Sequence, residues 1–450
     1  MSLTKYRRKR SAASTPEPFG REVETIGPSS GGSFVVQKHA ARRLHYDFRL
    51  EMEGVLRSWA VPKGPSMNPA DKHLAVAVED HPLEYGNFEG IIPRDNYGAG
   101  AVIVSDRGVY EVIDPSGGDA AEAVRKGKLD INLRGFKLNG AFTLVHTGGR
   151  NRGASPKEQQ QWLLIKKRDQ YATTENVFEA HPRSVLSGLT LEELANAPAT
   201  EHKIADALAG KNLPELPDRL GHRDFPLTLA KTTEEAFYNP KWLFEIKYDG
   251  VRALAIREGE TTRLYARSGT DITNRYPEVV LALNSIALER FVLDGEIVAP
   301  DDRGRPSFQL LQRRMHVNDA KSIARLSLAV PVTYYVFDLL GFDRFDTRTL
   351  PLEERKRLLS ELIHNEGPVR YCDHVIGRGK DFFAAISELE LEGIVAKLRD
   401  APYRGTRTGD WQKIKRPVIK QFVVGGYSDP DGTRTHFGAL LLGQYDSDGA

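Results

Sequence analysis

Across residues 34–170, apolar positions fall in short runs with strand-like alternation, separated by Gly-rich turns: SFVVQ, HYDFRLEM, HLAVAVED, GAVIVSD, GVYEVI, KLDINLRG, FTLVH and QWLLIKK. Period two is the mark of a half-buried strand, and a series of such runs with little helix between them predicts a small β-barrel or sandwich. From Pro226 the pattern changes. Strand-like runs (WLFEIKY, VRALAIRE, TRLYARS, FVLDGEIVA, VTYYVFDLL, EGIVAKL) mix with helical stretches (YPEVVLALNSIAL, PLEERKRLLSELI, KDFFAAISELEL), which predicts an α/β or α+β core over residues 226–420.

Residues 171–225 read as a linker with short helices. Thr190 and Glu193 have capping-box spacing, and NLPELPDRLGHRDFP is punctuated by proline. Residues 421–450 return to strand runs. They are fewer than the ~40 residues a domain needs without extra staples, so they read as the truncated start of another β-domain. Residues 1–33, rich in Ser, Pro, Gly and charge, read as a disordered basic tail. The expected fold class is multidomain α+β.

Composition narrows the function classes. The chain has 450 residues, a net charge of +2 and 40% hydrophobic residues, which suits several globular domains. No apolar run approaches the ~20 residues of a membrane span, and MSLTKYRRKR carries no secretory signal. The single cysteine, Cys372, excludes a disulfide framework and a Cys-rich zinc site and fits a reducing cytoplasm. Charge is uneven locally. Residues 1–50 hold ten Lys/Arg against four acids, and residues 393–420 hold eight against Asp400 and Asp410. Such excess attracts a phosphate backbone; it is equally that of solvated stretches balanced by nearby acids.

Two constellations carry chemistry. In the first, Leu44, Tyr46, Phe48 and Leu50 share one strand face, and His45, Asp47, Arg49 and Glu51 the other. With His39, two imidazoles and a carboxylate form a plausible transition-metal set, and Arg49 suits a bidentate grip on phosphate. The same spacing is also that of an exposed polar face with ordinary ion pairs. A further cluster, Glu79–Tyr85, supplies His81 and a phenol.

The segments QKHAARRLHYDFRLE, WAVPKGPS, LAVAVEDHPLEYGNFEG, IPRDNYGAG and QWLLIKKRD resemble the 3′-phosphoesterase domain of bacterial DNA ligase D. The resemblance implies a Mn2+-dependent enzyme that trims 3′-terminal ribonucleotides and 3′-phosphates from DNA ends. By motif, His39, His45 and Asp47 match metal ligands, and Arg49, Lys63, His81 and Tyr85 match groups around the scissile phosphate. The chain departs from the family at His73, where Arg is frequent, and at Arg94-Asp95, where Glu-Gly is frequent.

In the second constellation Lys247-Tyr248-Asp249-Gly250-Val251-Arg252 follows an apolar strand. A lysine there can serve as a nucleophile when partly desolvated or flanked by cations, although surface turns also read this way. KYDGVR, ARSGTDIT, DGEIV, VFDLL, EGIVAK and WQKIK, in this order, resemble the nucleotidyltransferase signature of ATP-dependent DNA ligases. The resemblance implies that Lys247 attacks the α-phosphate of ATP to form a lysyl-AMP. Arg252 matches a ribose or phosphate contact, Arg267 a phosphate contact, Phe337 the residue stacking on adenine, and Glu245 an adenine N6 contact. Glu296 and Glu392 match carboxylates that handle ribose and Mg2+. Lys397, Lys413 and Lys415 match lysines near the nucleotide, the last two on the α-phosphate.

Together the two blocks resemble DNA ligase D of bacterial non-homologous end joining. That implies a cytoplasmic, nucleoid-associated enzyme acting on DNA ends and nicks with a Ku-type end-binding partner. Residues 421–450 resemble the start of an OB domain whose remainder is missing. The expectation is that the chain trims 3′ ends, barely self-adenylylates from ATP and seals pre-adenylylated nicks slowly. The rival readings are an RNA-ligase or capping-type nucleotidyltransferase, and a non-catalytic DNA-end scaffold.

Overall fold

The structure is a computed structural model, and it describes residues 3–11, 14–20, 30–113, 118–147, 161–286, 288–301, 303–417, 422–429 and 437–443. The first domain is built from β1 (Gly31–Ala40), β2 (Leu44–Met52), β3 (Val55–Val61), β4 (His73–Ala77), β5 (Gly90–Ile92), β6 (Gly100–Val112), β7 (Lys128–Gly135), β8 (Asn139–His146) and β9 (Gln161–Lys166). The antiparallel order β1-β2-β3-β4-β9-β8-β7-β6 closes because β1 also pairs with β6, and β5 extends β6 on the outside. Of the two expected architectures, the barrel is the one formed.

Two details of the strand reading change. GAVIVSD and GVYEVI are one thirteen-residue strand, β6, and VLRSWAV forms an additional strand, β3. The alternation holds: Phe34, Val36, Phe48, Leu50 and Trp59 pack with Ile131, Phe142 and Trp162 inside the barrel. Gln37, His39, Asp47 and Arg49 therefore hang on its outer wall.

The tail expectation is corrected in part. A short helix, Thr4–Arg8, opens a segment that packs on the outer wall, where Tyr6 is fully buried against Val35, Leu56 and Tyr85. Arg10 pairs with Glu17 at 2.8 Å and with Glu79 at 3.2 Å. A single aromatic side chain with an apolar wall to cover outweighs the polar composition around it. Residues 21–29 lie outside the described residues.

The linker carries the helix Leu191–Ala209, capped by Thr190 and Glu193 as their spacing predicts. The second domain contains β10 (Lys231–Thr232), β11 (Tyr238–Ile246), β12 (Val251–Glu258), β13 (Thr261–Ala266), β14 (Arg290–Val298), β15 (Thr333–Phe342), β16 (Phe345–Asp346), β17 (Val369–Tyr371), β18 (Val375–Arg378), β19 (Gly393–Leu398) and β20 (Trp411–Lys415). One sheet runs β10-β20-β19-β11-β18; the other runs β13-β12-β14-β15-β16, with β17 on β15. Helices Leu352–Leu362 and Gly379–Glu388 pack on β15 and on β11 and β19 respectively. Of residues 421–450 the structure describes an exposed hairpin, β21 (Val423–Tyr427) with β22 (Leu440–Gly443). Most other positions expected to begin an OB domain lie outside the described residues.

Candidate active sites

The β1–β2 register sets His39 opposite His45 and Gln37 opposite Asp47 on the outer wall. The imidazole centroids are 4.9 Å apart, and Asp47 lies 3.9 Å from His39 Nδ1 and 3.8 Å from His45 Nε2. One donor atom from each of the three falls within 4.8 Å of the others. Each imidazole's second nitrogen rests on a backbone carbonyl: His39 Nε2 on Gly98 at 2.7 Å and His45 Nδ1 on Arg43 at 3.0 Å. Those contacts fix the tautomers that leave His39 Nδ1 and His45 Nε2 with lone pairs facing Asp47, the arrangement metal-binding imidazoles take. Burial pushes His39 below the ordinary imidazole pKa, which keeps that lone pair free. The donor set and its orientation fit a divalent transition metal.

Arg49 is almost fully buried and spends its donors on Asp47 (3.0 Å), Gln37 Oε1 (2.7 Å), Ser58 Oγ (2.8 Å) and His81 Nδ1 (2.8 Å). Nδ1 of His81 also lies 2.9 Å from the Glu79 carbonyl: the guanidinium calls for an acceptor there and the carbonyl for a donor, so the ring is held between the two. Burial first, and the Arg49 and Arg10 charges next, hold the His81 pKa well below its usual value. Tyr85 lies edge-on to His81 at 4.7 Å and donates its hydroxyl to Glu17 at 3.0 Å. His39, His45, Asp47, Arg49, His81 and Tyr85 line a cleft of about 670 Å³, with Arg42, Arg43 and Arg94 also on its wall.

Lys63 is not brought to this cleft. It stands exposed at the tip of the Val61–Gly64 turn, which aims it at solvent. His73 likewise lies away, on the Gly64 carbonyl. Sequence reasoning missed Arg10, Glu17, Gln37 and Ser58. Gln37 alone carried a signal, sharing the strand face of His39.

The second site lies in a cleft of about 240 Å³ between the two sheets of the second domain. Lys247 leaves the end of β11, held by its backbone N–H on the Gly393 carbonyl at 2.9 Å. Its ammonium contacts Glu392, whose other oxygen takes Lys415 at 3.0 Å. Arg267, Glu296, Phe337, Lys397 and Lys413 line the cleft with Lys247. Burial lifts the Glu296 carboxyl to about 7, against the nearby cations Arg252 and Lys247. Burial, with Lys415 and Lys247 adding to it, lowers the Lys413 pKa.

Two expected contacts are already engaged. Arg252 grips Asp294 through Nε at 2.8 Å and Nη2 at 2.6 Å, stacked 4.9 Å from Phe337 and 5.3 Å from Trp411. Glu245 is buried at the cleft floor between Lys356 and Lys397. Asp294 and Trp411 sat inside quoted motifs, but Lys356 had no local signal, since it arrives on the distant helix Leu352–Leu362.

Family comparisons divide the chain as the geometry does. Residues 37–146 match the DNA ligase D 3′-phosphoesterase domain, and residues 227–415 match the ATP-dependent DNA ligase domain. The chain is 40% identical over 99% of its length to the multifunctional non-homologous end joining protein LigD of Pseudomonas aeruginosa, covering 51% of that protein. It is 34% identical over 98% of its length to the corresponding DNA repair protein of Mycobacterium tuberculosis, covering 49% of it. A probable DNA ligase of Streptomyces coelicolor is 37% identical over 46% of the chain and 41% of its own length. The chain thus spans about half the length of the first two relatives. A barrel with a His-His-Asp cluster on its outer wall, followed by a two-sheet domain around a lysine in KYDGVR, places this chain in the DNA ligase D family, as a 3′-phosphoesterase domain joined to an ATP-dependent ligase domain.

Proposed function

We propose that the chain processes and seals DNA ends in bacterial non-homologous end joining. The first domain trims 3′-terminal ribonucleotides and 3′-phosphates, and the second closes nicks with ATP. The observation that carries this reading is the preformed His39–His45–Asp47 cluster, with both imidazole tautomers set for a metal.

In the trimming site, His39, His45 and Asp47 would hold Mn2+. A bound divalent metal there supplies polarisation of the phosphoryl oxygen. Arg49, already oriented by Gln37 and Ser58, neutralises charge on the phosphate. His81 supplies a proton to the leaving oxygen. Tyr85 keeps His81 in place.

In the sealing site, Lys247 gives its proton to Glu392, the carboxylate it touches. Its nitrogen then bonds to the α-phosphorus as the bond to the bridging oxygen breaks and pyrophosphate leaves. Lys413 and Lys415 steady the phosphoryl oxygens, with Arg267 behind them. Phe337 stacks on the base. Glu296 and Glu392 are the carboxylates available to Mg2+, which is commonly held by one or two carboxylates plus substrate phosphates. A Ku-type protein is the proposed partner at DNA ends.

The test uses one nicked duplex whose 3′ strand ends in a ribonucleotide, given ATP with Mn2+ and Mg2+. Release of the ribonucleotide followed by sealing is expected. A chain that joins nicked RNA and leaves this DNA untouched would refute the proposal.

A further inference from the structure

Beneath the nucleotide cleft lies a fully buried triad. Glu245 on β11 is 2% exposed, Lys356 on helix Leu352–Leu362 is 1% exposed, and Lys397 on β19 is 1% exposed. Lys356 contacts Glu245 Oε1 and donates to the Cys372 carbonyl at 2.8 Å; Lys397 faces Glu245 Oε2 at 2.6 Å. Glu245 and Lys397 line the cleft, and Lys356 stands behind them. Two lysine amines around one carboxylate exceed what a single ion pair requires; burial lowers the Lys397 pKa, while Glu245 keeps Lys356 charged against its own burial. A buried pair is maintained only where its geometry and hydrogen bonds compensate desolvation.

The orientation explains the excess. Lys397 lies 4.0 Å over both the Phe337 and the Trp411 rings and makes no well-angled hydrogen bond, so it retains N–H groups for a ligand. Glu245 is the adjacent acceptor. The floor therefore offers an acceptor beside a donor. A 6-aminopurine presents the complement, an amino donor beside the N1 acceptor. Held in the same pose, a 6-oxopurine presents the reverse, with O6 toward Glu245 and N1–H toward Lys397, and that pose pairs at Glu245 only if the carboxyl carries a proton.

We infer that Lys356 is a positioning residue that selects ATP over GTP, by holding Glu245 ionised and fixed as an acceptor beside Lys397. This rests on the proposed sealing reaction and extends it to the choice of nucleotide. Burial alone would raise the Glu245 pKa, and Lys356 and Lys397 together bring it below the ordinary carboxylate value.

The test compares the full chain with Lys356→Met and Lys356→Arg, measuring covalent nucleotide adducts by intact mass with ATP and with GTP across pH 6–8. The wild type should keep a constant preference for ATP. In Lys356→Met the preference should fall by roughly tenfold or more, mainly through a higher KM for ATP, since an acceptor that can take a proton no longer rejects the oxo group. GTP use in that variant should rise as pH falls. Lys356→Arg, which keeps the charge, should restore most of the preference. Should Lys356→Met not fold, Lys356→Gln against Lys356→Arg carries the same comparison. A wild type that labels from ATP while the neutral variant keeps its preference at every pH overturns this inference alone. A wild type that takes no label overturns the functional reading and this inference with it.

Discussion

Lys247 stands in contact with Glu392, and the same carboxylate holds Lys415 at 3.0 Å. The proposed nucleophile is thus anchored within its own sheet, by the residue just before β19, and its proton already has an acceptor. Lys247→Ala should abolish any AMP adduct in intact mass spectra while leaving 3′-end trimming at the wild-type rate. An adduct surviving on the variant would place the nucleophile elsewhere.

Removing one imidazole should empty the barrel-wall site. Loss even of an outer partner commonly costs roughly 10–100-fold in metal affinity, and loss of a ligand should cost at least that. His45→Ala is expected to lose tight Mn2+ binding in equilibrium dialysis and to lose trimming, with an unchanged far-ultraviolet dichroism spectrum. Unaltered Mn2+ binding would return the cluster to an ion-paired surface.

The N-terminal segment should matter to trimming through Tyr6. Its ring lies edge-on to His81, with centroids 5.0 Å apart, and is fully buried. Truncating a buried aromatic costs roughly 3–5 kcal/mol, enough to undock a short segment. Tyr6→Ala should undock the segment, so that trypsin cuts it faster at its basic residues, the covered Arg10 included, and should slow trimming by roughly 10–100-fold through misplaced groups, while Mn2+ still binds. Equal trypsin resistance in both chains would show that the ring does not hold the segment.

Glu296 gives a pH signature. Its carboxyl rises from 4.5 to about 7 on folding, chiefly by burial. A raised carboxyl pKa makes the folded state bind more protons, so the penalty is absent below about 4.5, grows up to about 7 and is complete above. Because the side chain retains some solvent access, about 1–2 kcal/mol is a reasonable size after screening. Free of metal and nucleotide, Glu296→Gln should melt above the wild type at about pH 8, with the gap closing as pH falls. A gap that widens toward acid would reverse the sign and discard the account.

The sequence was legible where chemistry and periodicity share a strand. The alternation of residues 44–51 assigned Asp47 and Arg49 to one face, and the structure keeps them there. It was not legible where a side chain arrives from afar. Tyr6 meets His81 and Lys356 meets Glu245 across many intervening residues, and no local pattern announces either contact. Lys63 failed for the opposite reason: its motif was local, but the turn at Gly64 directs it outward. Arg252 and Glu245 matched a nucleotide-binding pattern, yet both have protein partners that a linear motif does not record.

The closed barrel has a consequence for the precision of its outer wall. Along β2, Phe48 belongs to the interior and Arg49 to the chemistry, one residue apart. A slip of one position would exchange them, turning the cation inward and the ring outward. An open sheet could relax into such a slip at a free edge. Here β1 is paired on both sides, by β2 and β6, and β2 is paired on both sides, by β1 and β3. Any shift would have to propagate around the whole ring, so cyclic closure, rather than local packing alone, guards the alignment of His39, His45 and Asp47.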